Sequence, residues 1–179
     1  LLSKSIRTPA LKAFLVVIGS LLLATSAQFK IPLYPVPVTG QTLVVLLIGM
    51  VYGPWLGGVT IAAYLLQGAI GLPVFAGGAF GIATLLGPTG GYLGGFLIAA
   101  IVMGILAVRG RGRGIMSTVI AMMVGNAVIY VSGASWLANF IGVEKALTAG
   151  VLPFLYGDIL KLAVAATLMP LAWRLVKKL

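Results

Sequence analysis

The sequence predicts an all-α, polytopic membrane protein built as a bundle of six transmembrane helices. Three observations carry that reading. Of the 179 residues, 61% are hydrophobic and 8% charged, whereas a soluble domain carries about 25% charged residues. The apolar residues gather in six runs bounded by Gly, Pro and basic residues, and a helix needs roughly 20 apolar residues to cross about 30 Å of hydrocarbon. The cations stand at the ends of those runs and form no patch on a polar domain, which points to membrane orientation and away from nucleic acid.

The first run, about residues 10–28, opens on Lys4, Arg7 and Lys12 and closes on Ala24-Thr25-Ser26-Ala27. A basic start, an apolar centre and small residues imitate a secretory signal. The run reads instead as a retained first span, because its removal would leave five spans and strand the Arg-rich loop without its N-terminal partner. The second span, about 39–52, is short. It rises only about 21 Å, so it either lies deeper or is completed by the Pro-rich stretch before it. The remaining spans are placed at about 54–71, 89–108, 115–132 and 151–173. Gly53 with Gly57 and Gly90 with Gly94, at helical spacing, are expected to let helices approach closely.

Six spans put both termini on one side. Lys4, Arg7, Lys12, Arg109, Arg111, Arg113, Arg174, Lys177 and Lys178 then share a face, which the positive-inside rule makes cytoplasmic. The chain is therefore expected in the cell membrane with cytoplasmic termini. Arg109, Arg111 and Arg113 form a loop anchor in this scheme, not a nucleic-acid tail. Lys30 and Lys145 fall in loops of the opposite face, and Lys161 alone stands within a span.

Cysteine and histidine are absent and there are two carboxylates. Disulfides and thiolate chemistry are thereby excluded, and neither a metal cluster nor a cofactor is expected. No GxxxxGK[ST] loop occurs, so nucleotide hydrolysis by that route is not expected either. An enzyme would have only Asp158, Glu144, Lys, Tyr and Ser to work with, since Ser-His and Cys-His pairs cannot form; no catalytic role is expected.

Four features converge on the outer face. In KIPLYPVPVTGQT, residues 30–42, Pro32, Pro35 and Pro37 forbid a helix and favour an extended segment ending at Thr39 and Gln41. Irregular backbone beside a membrane is tolerated where protein or a water-filled cavity satisfies it, so this segment folds over something. The second feature, GLPVFAGGAFGIATLLGPTGGY, residues 71–92, is a Gly-rich loop with Phe75, Phe80 and Tyr92. Its glycines allow backbone to approach a ligand and its aromatic residues supply apolar walls. The third is Asn126, an amide at lipid depth that needs a partner, either as helix glue or as a ligand contact. The fourth is Asp158 with Lys161 in LPFLYGDILKL, three residues apart and so on one helix face. A charge at the centre of a span costs about 2.5–3.5 kcal/mol and usually marks a functional cavity. The pair either neutralises itself and holds the last helix in register, or faces a pocket for a small apolar ligand with N–H donors and a carboxylate.

PVPVTGQT, then GAIGLPVFAGG followed by GPTGGYLGGF, then YGDILK, in that order and at those distances, resemble the BioY family, the biotin-specific S components of energy-coupling factor (ECF) transporters. The resemblance runs from about residue 20 to 170. It implies a six-helix bundle of S-component type that captures biotin from outside. It also implies a transmembrane coupling protein (T component) and a pair of ATP-binding-cassette ATPases as partners, which would supply ATP hydrolysis, and tipping of the S component in the bilayer to release its ligand inward. By motif position, Asp158 and Lys161 would be polar site residues, Asp158 taking the ureido N–H groups, with Thr39, Gln41, Gly77, Gly78 and Tyr92 from the two loops. Ala79 and Phe80 stand where some relatives carry a basic residue in or near the Gly-rich loop, leaving Lys161, Lys30 or water to meet the biotin carboxylate. Two alternatives stand beside this reading: an S component for another vitamin, and a pore or structural subunit that binds no small molecule.

Overall fold

Proline and glycine set the limits of the helices. A computed structural model describes residues 8–110 and 114–176, with side chains as far as residue 167. Helix α1 (Pro9–Gln28) starts on a proline, whose missing N–H costs nothing in a first turn. A two-rung antiparallel ladder follows, β1 (Lys30–Ile31) against β2 (Val38–Thr39), with Lys30 opposite Thr39 and Ile31 opposite Val38. Helix α2 (Gln41–Tyr52) and helix α3 (Pro54–Ala69) are joined by Gly53 alone. Its φ of +88° is one that L side chains rarely adopt, so the chain can reverse within one residue. The Gly-rich loop then forms a single 3₁₀ turn, Ala76–Gly78, and a short helix α4 (Ile82–Leu86). Helices α5 (Gly90–Val108), α6 (Ile115–Ile141), α7 (Val143–Gly150) and α8 (Leu152–Val176) complete the described chain.

The longer helices fall on the predicted apolar runs, with two informative differences. Helix α2 begins at Gln41 because Val38 and Thr39 pair with β1. Helix α6 continues past residue 132 to Ile141, since Ser132-Gly133-Ala134-Ser135 is small and polar enough to suggest an end but contains no proline to enforce one. Among the described residues, four segments are long and apolar enough to cross a membrane: Pro9–Gln28, Gly90–Val108, Ile115–Ile141 and Val143–Thr167. Helices α2 and α3, with 12 and 16 residues, rise only about 18 and 24 Å. Lys4, Arg7, Arg111, Arg113, Lys177 and Lys178 lie outside the described residues, as does the side chain of Arg174.

Helix α5 packs against α2, α3 and α6; α6 in turn packs against α7 and α8, and α1 lies on α2 and α3. In lipid no hydrophobic force draws helices together, so close van der Waals contact has to hold them. Glycine supplies that closeness. A Cβ on Gly49 of α2 would stand 2.5 Å from the Ala100 carbonyl oxygen of α5, and one on Gly104 of α5 would stand 2.2 Å from the Pro54 nitrogen. Of the predicted pair, Gly90 is a close approach, a Cβ there standing 1.9 Å from the Leu85 carbonyl oxygen and 3.2 Å from Trp136 Nε1, whereas Gly94 faces open space and Gly91 and Gly95 lie against Trp136 and Ser132 of α6. The outward side of α1 is apolar, with Phe14, Leu21 and Leu22 exposed, whereas Leu23, Leu46, Met50, Met103, Met122 and Ile129 are buried among the helices.

Candidate functional site

A cavity of about 140 Å³ opens at the end of the bundle that carries the ladder and the Gly-rich loop. One water needs about 10–15 Å³ of such space, so the cavity suits a small organic molecule. Its wall is mostly apolar and aromatic: Val36 and Pro37 from the ladder loop, Phe75, Ala76 and Ala79 from the Gly-rich loop, and Tyr92, Phe96, Ile129, Tyr130 and Phe154 from the helices. Thr39, Gln41, Thr42, Thr84 and Thr89 add hydroxyl and amide groups.

Local chemistry explains why these side chains hold their places. The Tyr92 and Phe154 rings stack with centroids 5.8 Å apart, and Phe154 leans on Tyr130 at 6.0 Å. This aromatic ladder ties α5, α8 and α6 into one wall. Tyr92 fits because Gly133 opposite has no Cβ, which would stand 2.3 Å from the ring, and its hydroxyl donates to the Gly150 carbonyl at 2.7 Å. On the opposite wall Tyr64 meets Phe75 edge to face at 5.5 Å. Phe75 is accommodated by Gly68, where a Cβ would stand 2.0 Å from the ring.

Two polar networks support the cavity. In the first, the Thr39 hydroxyl donates to Gln41 Oε1 at 3.1 Å, Gln41 Nε2 donates to the Tyr64 hydroxyl at 2.7 Å, and that hydroxyl donates to the Val74 carbonyl at 2.9 Å. The start of α2 is thus bonded through α3 to the Gly-rich loop. In the second, Lys161 Nζ donates to the Thr42 hydroxyl at 2.7 Å and to Asp158 Oδ1 at 3.2 Å, and the Tyr130 hydroxyl donates to Asp158 Oδ2. Asp158 is 4% exposed. A carboxylate at that burial needs partners, and a cation and a phenol supply them. Two further lone-pair sites remain on its oxygens, since a carboxylate accepts about four hydrogen bonds.

The BioY family model matches residues 3–178. The chain belongs to the BioY family. Within it, the chain is 45% identical to "Probable biotin transporter BioY" of Pyrococcus horikoshii over 144 residues, covering 80% of this chain and 85% of that protein. It is 40% identical to "Biotin transporter BioY" of Thermotoga maritima over 146 residues, covering 81% and 85%. The fold is similar to that of a crystal structure described as the S-component for biotin from an ECF-type ABC transporter. The TM-score is 0.84 at 25% identity, over 96% of this chain and 95% of the other. A transporter S component is not an enzyme class, and the helices form a membrane bundle of that type.

The predicted site residues fall into four groups. Thr39, Gln41 and Tyr92 line the cavity. Asp158 and Lys161 stand directly behind its wall, bonded to the lining residues Tyr130 and Thr42. Gly77 and Gly78 form the 3₁₀ turn between the lining residues Ala76 and Ala79, while Phe80 points outward at 57% exposure. Asn126 is buried but does not line the cavity, and its Oδ1 has no hydrogen-bond partner. Sequence reasoning passed over Thr42, Tyr130 and Phe154. Helical spacing held the signal: Phe154 precedes Asp158 by four residues and Tyr130 follows Asn126 by four, so each shares a face with a residue already singled out.

Proposed function

We propose that this chain is the substrate-capturing subunit of an ECF transporter and takes up biotin from the outer side of the cell membrane. The observation that carries the reading is the cavity under the two outer loops, with aromatic walls and a buried carboxylate directly behind the lining residue Tyr130, in a chain of the BioY family. Biotin suits that arrangement chemically. Its thiophane ring and valerate tail are apolar and match the Tyr92–Phe154–Tyr130 wall. Its ureido ring presents two N–H donors, which Asp158, directly behind the lining residue Tyr130, would receive once that side chain moves aside. Lys161 and Tyr130 fix that carboxylate in place, while Thr39 and Gln41 contribute polar edges and the Gly77–Gly78 turn forms part of the cover. Asn126, buried on α6 with its Oδ1 unpartnered, does not line the cavity and stands outside this site.

In this reading six spans cross the membrane with both termini cytoplasmic, the short α2 being completed by the ladder and the Pro-rich segment before it. A T component and a pair of ATP-binding-cassette ATPases supply the energy. The relatives' names and the S-component fold support biotin and an ECF assembly. Equilibrium binding of labelled biotin to the detergent-purified chain tests the reading. A Kd at or below about micromolar is expected, which corresponds to roughly 8 kcal/mol of binding. Weaker binding of biotin together with tight binding of another vitamin would overturn it.

A further inference from the structure

Lys30, one of three candidates to meet the ligand carboxylate, is unusually constrained in position for an exposed lysine. It lies opposite Thr39 on the antiparallel ladder, and directly opposed residues project to the same face of such a pair. Thr39 lines the cavity, so Lys30 rises from the cavity side of the ladder. Its side chain crosses to the Gly-rich loop. A Cβ on Gly77 would stand 2.0 Å from Lys30 Nζ and 3.0 Å from its Cε, so the ammonium rests where only glycine leaves room. The residues flanking that glycine, Phe75, Ala76 and Ala79, are cavity wall. The ammonium therefore lies against the Gly-rich turn, between the two loops that cover the cavity.

Its charge is uncompensated there. The chain has two acidic residues in all, Asp158 and Glu144. Asp158 is held by Lys161, in the one ion pair found among the described residues. Lys161 in turn has its ammonium bonded to Thr42 and Asp158 at the far side of the wall. A carboxylate already paired with Lys161 thus stands behind the cavity wall, and an unpaired cation lies between the two loops that cover the cavity.

We infer that Lys30 recognises the carboxylate of the bound ligand, reaching it across Gly77. The inference rests on the biotin reading above and assigns the anionic end of that ligand to a residue of the first outer loop. It also makes ligand charge part of loop closure, because the ammonium spans the ladder and the Gly-rich turn while it holds the anion.

The test compares biotin with its neutral carboxamide in equilibrium binding to the detergent-purified wild-type chain, Lys30→Met and Lys30→Arg. The wild type is expected to favour the acid by about tenfold, the scale of one charge-assisted contact at a partly exposed site. That preference should shrink as ionic strength rises, because an exposed charge contact is screened within about 10 Å at 0.1 M salt. Lys30→Met should bind both forms with the affinity the wild type shows for the amide, and Lys30→Arg should retain the preference. A Lys30→Met chain that still favours the acid as the wild type does overturns the assignment. An equal loss for both forms also overturns it, since that would mark Lys30 as loop packing only. Failure of the wild type to bind either form would sink the biotin reading itself, a result distinct from both.

Discussion

Replacing Asp158 by asparagine removes one oxygen's worth of acceptor capacity and the negative charge while keeping the shape of the side chain. In the native chain one carboxylate oxygen accepts from Lys161 at 3.2 Å and the other from Tyr130. The carboxamide can serve only one of these partners as an acceptor; its NH₂ group faces the other donor, and the ligand N–H groups lose a charged acceptor. One hydrogen bond to a charged group contributes about 1.5–3 kcal/mol, so biotin affinity should fall by about tenfold to somewhat over a hundredfold. Folding is also affected, because removing one partner of a buried ion pair costs about 3–5 kcal/mol. The Lys161 side chain is 14% exposed and keeps its bond to Thr42, which puts this chain at the lower end. Labelled-biotin binding measures the first effect and the monodisperse fraction on size exclusion the second. The double variant Asp158→Asn, Lys161→Met removes the stranded cation, so it should recover folded yield without recovering affinity. An Asp158→Asn chain that binds biotin within twofold of the wild type would refute the assignment of this carboxylate as the ureido acceptor.

Tyr130→Phe keeps the aromatic wall but takes one of two bonded partners from buried Asp158; the chain should lose about 1–3 kcal/mol of stability, read as a lower thermal midpoint in detergent, and biotin binding should weaken because the carboxylate is no longer held in place. Gly133→Ala places a methyl 2.3 Å from the Tyr92 ring and should destabilise the chain by about 1–3 kcal/mol through overpacking, read as a lower thermal midpoint in detergent. Because that methyl also displaces Tyr92 from the wall, added biotin should raise the midpoint of the variant less than that of the wild type. A reporter fused after Leu179 should read cytoplasmic; an external signal would invert the topology and with it the outer cavity.

The helical bundle was legible because lipid imposes one strict condition: a spanning backbone must satisfy its own hydrogen bonds, so long apolar runs become helices. Boundaries that depended on tertiary contact were less so. Val38 and Thr39 are as apolar or β-branched as the helix after them, and only their ladder partners Lys30 and Ile31 keep them out of α2. The packing register of α5 was hidden for a related reason. Gly90, Gly91, Gly94 and Gly95 all occur in one turn and a half, and which pair meets α6 depends on where that helix lies. In the site, charge and proline were conspicuous against an apolar background, so Asp158, Lys161, Thr39 and Gln41 stood out. Tyr130 and Phe154 did not, because an aromatic residue in a membrane helix is ordinary until its neighbour is known.

The bonds from Thr39 through Gln41 and Tyr64 to Val74 also run in a single direction. Each group donates forward, and the last acceptor is a backbone carbonyl whose polarity cannot be changed. The Gln41 amide is consequently limited to one of its two orientations, and the Tyr64 hydroxyl to one rotamer. Glutamate at position 41 would offer an acceptor to Tyr64 where the wiring supplies a donor, so the phenol would turn round and release Val74. A substitution at the foot of α2 would thereby loosen a loop it never touches, and the cover of the cavity can be adjusted from below without altering any residue of the cover itself.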